Sequence, residues 1–312
     1  MIAALFPGQG SQSVGMAQDF YDSPAAKTLL DRAEQALPGL LKLMWQGPEE
    51  ELKLTANQQP ALVAAGVAAF AAYLEAGGAM PQFAAGHSLG EFSAHVAAGS
   101  LDISEAIPLV HHRGKYMQEA VPAGLGAMAA VMKADKAQIL AVCQQVSEGS
   151  SIAEIANLNS PDQTVISGEA KAVQAASEVL KGLGARLVPL NVSAPFHCSL
   201  MQPAADKLAL DLAKINFKPM QIPVLANVTA APILSEADIA QLLKEQVTSS
   251  VRWTELIENL AALGVKTYLE FGSGKVLAGL VKRIIKDKDI MIMSISDKAS
   301  LAEALSVLGR IG

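Results

Sequence analysis

The stretch from Gly86 to Gly90 places a serine, Ser88, between two glycines in the pattern Gly-X-Ser-X-Gly. It follows a short apolar run, Phe83 to Ala85, and opens an alanine-rich segment, so we expect a strand to end here and a helix to begin. A sharp turn of this kind lifts the serine oxygen out of the sheet and turns it toward the N–H groups at the start of the helix. The pattern therefore predicts a nucleophile for acyl transfer, and a turn serine without a chemical role is the alternative.

A serine nucleophile needs a base, and among the five histidines His197 has the most suitable position. It ends the segment Ser193-Ala194-Pro195-Phe196-His197, which follows the small subdomain predicted below and would cross back over a cleft. No aspartate stands at a position expected of an acidic third triad member, so another group would have to orient the imidazole. A purely structural histidine is the alternative interpretation.

Gln9 lies between two glycines in Pro7-Gly8-Gln9-Gly10, directly after the first apolar run. The glycines would let the backbone of this loop approach a ligand, or the serine turn, at the carboxyl end of the first strand. A dinucleotide-binding loop is excluded, because the third glycine of that pattern falls on Ser13. An ordinary strand-to-helix turn stays the alternative.

Arg113 and Met117 are four residues apart in a helix predicted from about 104 to 120, so they share one face. The apolar flanks and the neighbouring Gly114 favour a semi-buried arginine. Such a guanidinium requires an anionic partner. The sequence therefore predicts a site for an anion beside this helix.

His87, Glu91 and His95 follow one another at intervals of four residues, which could place them on one helix face. The spacing is not the HExxH pattern of zinc enzymes, and no obvious further ligand accompanies it. We therefore expect no metal site.

The composition is typical of a compact globular protein. Of the 312 residues, 51% are hydrophobic and 17% are charged, which argues against a disordered chain. The uncharged stretch from Ala61 to Leu74 is shorter than the roughly 20 residues of a membrane-spanning helix, and the first residues lack the basic segment of a signal peptide. We expect a cytoplasmic protein that does not enter a membrane.

The charge pattern restricts the possible partners. A net charge of −6 argues against a general nucleic-acid-binding protein, and two cysteines without metal or redox spacing are expected to be reduced thiols. A basic run near the C-terminus is either a solvated helix face or a landing site for an anionic partner or a cofactor phosphate. Its members are Lys275, Lys282, Arg283, Lys286 and Lys288.

The order of predicted elements indicates two structural units. A first strand, a helical region over about 23–43, a buried helix over about 55–74 and the serine turn belong to one of them. From about residue 123 the order becomes strand, helix, strand, strand, helix, strand, which is the ferredoxin-like arrangement. We therefore expect an α/β core at residues 1–122 and 193–312, with a small ferredoxin-like subdomain inserted at residues 123–192.

Six segments together resemble the malonyl-CoA:acyl carrier protein transacylases of bacterial type II fatty acid synthesis. The resemblance runs almost end to end and depends on the order and spacing of the segments. It implies an α/β-hydrolase-like core with a parallel sheet and an inserted ferredoxin-like subdomain. The segments are Phe6-Pro7-Gly8-Gln9-Gly10-Ser11-Gln12, Gly86-His87-Ser88-Leu89-Gly90-Glu91, Arg113-Gly114-Lys115, Asn159-Ser160-Pro161-Asp162-Gln163, Ala194-Pro195-Phe196-His197 and Phe271-Gly272-Ser273-Gly274-Lys275-Val276-Leu277.

The resemblance also implies a reaction. A malonyl group would pass from CoA to the phosphopantetheine thiol of acyl carrier protein by a ping-pong mechanism through a malonyl ester of Ser88, without a bound cofactor. His197 would be the general base, and the backbone carbonyl of Gln246 would orient it in place of an aspartate. The backbone N–H groups of Gln9 and Leu89 would form the oxyanion hole.

Substrate selection is implied for three further residues. Arg113 would bind the free malonyl carboxylate, and Met117 and Phe196 would shape the pocket around the short acyl chain. Four members of the basic run would help to dock the carrier protein, which is generally acidic; they are Lys275, Lys282, Arg283 and Lys286.

The chain departs from the family at Ser249-Ser250, where Asn-Pro is frequent, and we expect the loss of this rigid proline to loosen the loop that holds Gln246. A malonyltransferase of malonate decarboxylase and a discrete polyketide acyltransferase share the same segments and remain alternatives. A serine esterase or thioesterase should have an acidic triad member and would not need an arginine in the acyl pocket. A non-catalytic binding module is disfavoured, because serine, histidine, arginine and the glutamine loop are all present.

Overall fold

The structure is a computed structural model that describes residues 1–147, 151–192 and 194–309, and its strands form two sheets of different type. The strands are β1 (Ile2–Phe6), β2 (Phe83–Gly86), β3 (Gly126–Met132), β4 (Ala153–Ser160), β5 (Gln163–Glu169), β6 (Arg186–Pro189), β7 (Val224–Leu225), β8 (Thr267–Phe271) and β9 (Met291–Ile295).

Helices connect these strands and pack against the sheets. They are α1 (Pro24–Ala36), α2 (Leu40–Gln46), α3 (Glu49–Leu52), α4 (Thr55–Glu75), α5 (Gly90–Ala97), α6 (Ile103–Glu119), α7 (Lys136–Val146), α8 (Ala170–Gly182), α9 (Gln202–Leu212), α10 (Ile239–Thr248), α11 (Trp253–Ala262), α12 (Val276–Ile284) and α13 (Lys298–Leu308).

The larger sheet has the strand order β7-β2-β1-β8-β9, and its neighbouring strands run parallel. Side chains of β1 alternate between two apolar clusters: Ala4 and Phe6 pack on one face of the sheet, and Ala3 and Leu5 on the other. A strand buried on both faces is apolar throughout, as the β1 sequence is. Because Phe6 is paired with Gly86, the loops that follow β1 and β2 leave the same sheet edge side by side.

Helix α4 confirms the predicted buried helix and packs directly on the parallel sheet. The ring of its Phe70 meets the rings of Phe6 and Phe271 edge to face, with centroids 6.0 and 5.2 Å apart. In the part of the chain that the structure describes, no helix is both long and apolar enough to cross a membrane.

The smaller sheet is antiparallel, with the strand order β4-β5-β3-β6. Helices α7 and α8 contribute Ile139, Val142 and Leu180 to its own apolar core. The chain order β3-α7-β4-β5-α8-β6 with this strand arrangement is ferredoxin-like. The predicted fold class, a parallel α/β core with a ferredoxin-like unit, is therefore confirmed.

The smaller sheet is attached to the core through its edge strand β4. Leu158 N donates to the carbonyl of Val251 at 2.9 Å, and Val251 N donates to the carbonyl of Ala156 at the same distance. These bonds tie the sheet to the segment that follows α10. The exact domain boundaries at 122/123 and 192/193 stay predictions, and residue 193 lies outside the described residues.

The helical region predicted over about 23–43 consists of two helices. Leu37, Pro38 and Gly39 divide it into α1 and α2. Proline has no N–H for the helical ladder, and Gly39 has a φ of +92°, a left-handed conformation that cannot continue a helix. Pro38 and Gly39 are the sequence signal of this break.

Candidate active site

Ser88 lies in the turn between β2 and α5 and has a φ of +52°, a backbone conformation rarely adopted by non-glycine residues. Glycines are required around it. A Cβ on Gly86 would come within 1.8 Å of the Gly90 carbonyl carbon, and a Cβ on Gly90 within 2.0 Å of the Phe6 oxygen. The turn is therefore held by close backbone packing of β1, β2 and α5.

The turn is also held by Asn227, which the sequence analysis missed. Its Oδ1 accepts the N–H of Ser88 at 2.7 Å, and its Nδ2 donates to the Gly86 carbonyl at 2.7 Å. Both residues are buried, so the Asn227 amide supplies the hydrogen bonds that water cannot make to this strained backbone. A single asparagine 139 residues away along the chain carries no local signal for such a role.

The structure brings Ser88, His197 and Gln246 together. His197 Nε2 lies 2.7 Å from Ser88 Oγ, and His197 Nδ1 lies 2.9 Å from the Gln246 carbonyl oxygen. With Nδ1–H donating to the carbonyl, Nε2 is left as the acceptor of the serine proton. The arrangement can therefore activate a hydroxyl without a carboxylate.

The imidazole of His197 is 5% exposed. Burial, assisted by the charge of Arg113, lowers its pKa to about 3. At neutral pH it is therefore uncharged, which is the state that a general base requires.

Arg113 is fully buried rather than semi-buried, and its guanidinium faces the serine. Its Nη2 donates to Ser88 Oγ at 3.2 Å and to Gln246 Oε1 at 2.9 Å, and its Nη1 donates to Gln59 Oε1 at 2.9 Å. Burial lowers its pKa to about 10, so it is still charged at neutral pH. A carboxylate bound here would lie beside the nucleophile.

Gln59 is the second residue that the sequence analysis did not assign to the site. It belongs to the polar run Asn57-Gln58-Gln59 at the start of an otherwise apolar helix, and such a run is a signal that could have been used. Its side chain is fully buried, although the sequence analysis assigned this segment only to the predicted buried helix over about 55–74. Polar side chains that are buried at the N-terminal end of an apolar helix need hydrogen-bond partners, and they therefore indicate a polar site nearby.

Gln9 and Leu89 lie in the two adjacent loops at the sheet edge. A Cβ on Gly8 would lie 2.5 Å from the His87 carbonyl oxygen. The Gln9 loop is therefore in close contact with the serine turn. The Gln9 side chain donates to Gln58 Oε1 at 2.7 Å. Among the described residues, neither backbone N–H of these two residues has a hydrogen-bond partner. Both donors are thus available, and their oxyanion role stays a prediction.

Met117 and Phe196 belong to the main apolar cluster and are 1% and 6% exposed. Met117 lies one turn after Arg113 on α6, and Phe196 precedes His197 directly. Arg113 and His197 both contact Ser88, so Met117 and Phe196 place an apolar surface beside the polar site. Their part in shaping an acyl pocket stays a prediction.

The three residues spaced at intervals of four have separate partners. His87 Nε2 pairs with Asn159 Oδ1 at 2.8 Å, His95 Nδ1 pairs with Ser100 Oγ at 2.9 Å, and Glu91 faces the site core. The described ranges contain no group of three metal-binding side chains.

The loop that departs from the family is well attached. Ser250 Oγ donates to the Ile155 carbonyl, and the next residue, Val251, bonds to β4 as described above. Gln246 itself is buried in the last turns of α10. Strand β4 therefore restrains the loop that carries no proline here.

All five residues of the basic run are exposed, and Lys275 directly precedes α12. The loop before it touches the Gln9 loop, because Ser273 Oγ lies 3.0 Å from Ser13 Oγ. On its other side is Asp162: a hydrogen bond from Ser160 lowers the pKa of this carboxyl, and the charges of Arg283 and Lys286 lower it further. The basic surface thus lies beside both units.

Comparisons with known proteins all point to one family of acyl transferases. A family model described as an acyl transferase domain matches residues 4–304. The malonyl CoA-acyl carrier protein transacylase of Bacillus subtilis strain 168 is 46% identical over 98% of this chain and 97% of its own length.

Solved structures give the same result. The crystal structure of an acyl-carrier-protein S-malonyltransferase from Burkholderia pseudomallei 1710b is 45% identical, covers 98% of this chain and 99% of that one, and has a TM-score of 0.93. A malonyl-transacylase in complex with its type II polyketide acyl carrier protein is 46% identical with the same coverage and TM-score.

Proposed function

The chain belongs to the acyl transferase domain family and, within it, to the malonyl-CoA–acyl carrier protein transacylases, and we propose that it moves a malonyl group from CoA to the thiol of an acyl carrier protein. The observation that carries the proposal is the position of Arg113, whose Nη2 lies 3.2 Å from Ser88 Oγ. A buried cation at the nucleophile suits an acyl group that ends in a carboxylate.

The first half-reaction acylates the serine. His197 Nε2 takes the hydroxyl proton as Ser88 Oγ attacks the thioester carbonyl of malonyl-CoA. The N–H groups of Gln9 and Leu89 stabilise the oxyanion, and each such donor contributes about 3 kcal/mol. The C–S bond then breaks, the imidazolium returns its proton to the CoA thiolate, and a malonyl ester of Ser88 remains.

The second half-reaction repeats these steps with another thiol. His197 accepts the proton of the carrier's phosphopantetheine thiol, and the thiolate attacks the malonyl ester. The ester C–O bond breaks and the proton passes to Ser88 Oγ, so the enzyme is regenerated. No residue changes its oxidation state, and no cofactor is needed in this proposal.

Arg113 supplies the selection of a diacid. A malonyl carboxylate gains a charged, two-pronged partner that an acetyl group cannot use. Because Arg113 is buried and has lost water, that partner is worth more than it would be at the surface. Met117 and Phe196 limit the length of the acyl chain beside it.

The proposal is tested by the mass of the intact protein after mixing with malonyl-CoA or acetyl-CoA. We expect a malonyl adduct on the wild type and on Arg113→Ala, none on Ser88→Ala, and a preference for malonyl over acetyl only where Arg113 is present. Rapid release of CoA without an adduct would instead indicate a thioesterase. Neither an adduct nor release would leave a binding role.

The identity of the carrier needs a separate comparison. A relative named only for an acyl carrier protein and a relative solved with a type II polyketide carrier are both 46% identical to the chain, so identity alone does not separate the pathways. Turnover measured with carriers of both kinds, and with the carrier of malonate decarboxylase, ranks the three. The cytoplasmic location stays a prediction.

A further inference from the structure

A buried carboxyl group, Glu91, lies beneath the serine turn and takes no part in the proposed reaction. It belongs to the first turn of α5 and is fully buried. Its Oε2 accepts from Gln246 Nε2 at 2.7 Å and from the backbone N–H of Asn227 at 3.0 Å. Its Oε1 has no partner in the described part of the chain. Burying a carboxyl that is only half satisfied is costly, so the position requires a reason.

The carboxamide of Gln246 is held from both ends. Its Nε2 donates to Glu91 and, at 3.0 Å, to the carbonyl of Ser88, while its Oε1 accepts from Arg113 Nη2. If the carboxamide were turned by half a rotation, oxygen would face the Glu91 oxygen and N–H would face the guanidinium N–H. Glu91 therefore favours the one orientation in which Gln246 offers an acceptor to Arg113.

The guanidinium of Arg113 depends on that acceptor. Nη1 is held by Gln59 and Nη2 by Gln246, so two oxygens fix the plane of the group in front of Ser88. The Phe92 ring lies against the guanidinium, with its centroid 5.3 Å from Cζ. Loss of one of the two oxygens would allow the group to rotate about the other.

We propose that Glu91 is a positioning residue for substrate selection: its Oε2 fixes the Gln246 carboxamide, which in turn aims Arg113 at the carboxylate of the acyl group. The same oxygen holds Asn227, whose side chain supports the backbone of Ser88. Glu91 Oε2 thus links the position of the Arg113 guanidinium to that of the Ser88 backbone. The inference rests on the proposed function, whose residues it connects.

The position of the oxygen carries this effect rather than its charge. Burial raises the pKa of Glu91 to about 7, so the carboxyl is partly protonated at neutral pH. A proton on Oε1 leaves Oε2 free to accept both bonds. Glutamine supplies an acceptor at the same distance without the charge, whereas aspartate keeps the charge and withdraws the acceptor by one methylene.

The test compares Glu91→Gln with Glu91→Asp, because both are conservative. The readout is kcat and KM for acylation by malonyl-CoA and by acetyl-CoA, measured separately. We expect Glu91→Gln to keep the wild-type malonyl preference within about twofold. Glu91→Asp should lose about tenfold of it, mostly through a higher KM for malonyl-CoA, as for one lost hydrogen bond to a charged group.

Glu270 provides a matched control, since it is another buried glutamate and lies on β8. Its oxygens accept the N–H groups of Leu277 and Ala278 at the start of α12, away from the serine. Glu270→Asp removes the same methylene and should lower the melting temperature without changing the malonyl-to-acetyl ratio. A role of Glu91 in stability alone would make the two aspartate variants behave alike, which would overturn the proposal.

Two other results decide the remaining cases. A preference that is lost in Glu91→Gln and kept in Glu91→Asp would assign the effect to charge and overturn the positional account. If the wild type forms no malonyl ester, the proposed function fails instead, and crystal structures of the wild type and Glu91→Asp then decide. The inference holds if the aspartate variant shows a displaced Gln246 carboxamide and Arg113 guanidinium, and it falls if both keep their contacts.

Discussion

The Nδ1 atom of His197 lies 2.9 Å from the backbone carbonyl oxygen of Gln246, so a neutral peptide group orients this histidine. An aspartate in that place would raise the histidine pKa, whereas a carbonyl adds only a weak effect. Burial and the nearby Arg113 charge therefore dominate and lower the pKa of His197. The site keeps its base uncharged and its selector charged at the same pH.

The pH dependence of acylation follows from this arrangement. Because the pKa of His197 is lowered to about 3, the base stays unprotonated throughout the mildly acidic range. We expect kcat/KM for acylation by malonyl-CoA to show no loss centred near the ordinary histidine pKa of about 6.5. Profiles of the wild type and of Glu91→Gln test this, since the second removes the carboxyl whose pKa of about 7 falls in the same window. A limb near 6.5 in both would contradict it.

Glu91 should also make stability depend on pH. Its pKa rises from 4.5 in the unfolded chain to about 7 on folding, so the carboxyl ionises first in the unfolded state. The cost to the folded state is absent below pH 4.5, grows between the two pKa values and is complete above 7, where it is about 3 kcal/mol. The free energy of unfolding of Glu91→Gln relative to the wild type should therefore rise over that range. A difference that is constant with pH, measured by urea titration, would show that the carboxyl does not titrate there.

The serine turn makes a prediction about stability. Gly90→Ala places a Cβ within 2.0 Å of the Phe6 carbonyl oxygen, where backbone must shift, and should cost at least about 2 kcal/mol. Gly279→Ala is the control, because this helical glycine has open space around it and alanine should stabilise α12 by about 0.5–1 kcal/mol. Chemical unfolding of both variants measures the contrast. Equal effects would mean that the turn relaxes easily.

Local sequence was sufficient for the turn but not for its supports. Gly86, Ser88 and Gly90 are neighbours, so the steric need for small residues is written in one short pattern. Asn227 reaches the same turn from 139 residues away, and a contact of that kind arises only when β7 pairs with β2. The residues that hold a site in place were therefore much harder to predict than those that define it.

The same limit applies to the fold. The smaller sheet was predictable because its strands alternate with helices in one continuous stretch, at 126–189. Strands β8 and β9 were not predicted, since each is only five residues long and polar residues interrupt both, Glu270 in β8 and Ser294 in β9. They become strands by pairing with β1 and with one another, which is a tertiary effect.

The basic run makes the last prediction, which concerns the carrier. Lys275, Lys282, Arg283 and Lys286 form an exposed positive surface on a chain with a net charge of −6, beside the loops that carry Gln9 and Asp162. An acidic carrier would be steered toward this surface, and its thiol toward the cleft. Lys282→Glu should raise the KM of the carrier several-fold and weaken its dependence on salt, with acylation by malonyl-CoA unchanged.

Lys171→Glu is the matched control for Lys282→Glu. Lys171 is exposed near the start of α8, at the end of β5 opposite Asp162, and the substitution changes the charge by the same amount. Steady-state kinetics at two salt concentrations compare the variants. A general effect of net charge would raise the carrier KM equally in both, whereas docking on α12 raises it only in Lys282→Glu. An unchanged KM in both variants would place the docking surface elsewhere, because a steering charge cannot be reversed without slowing the encounter.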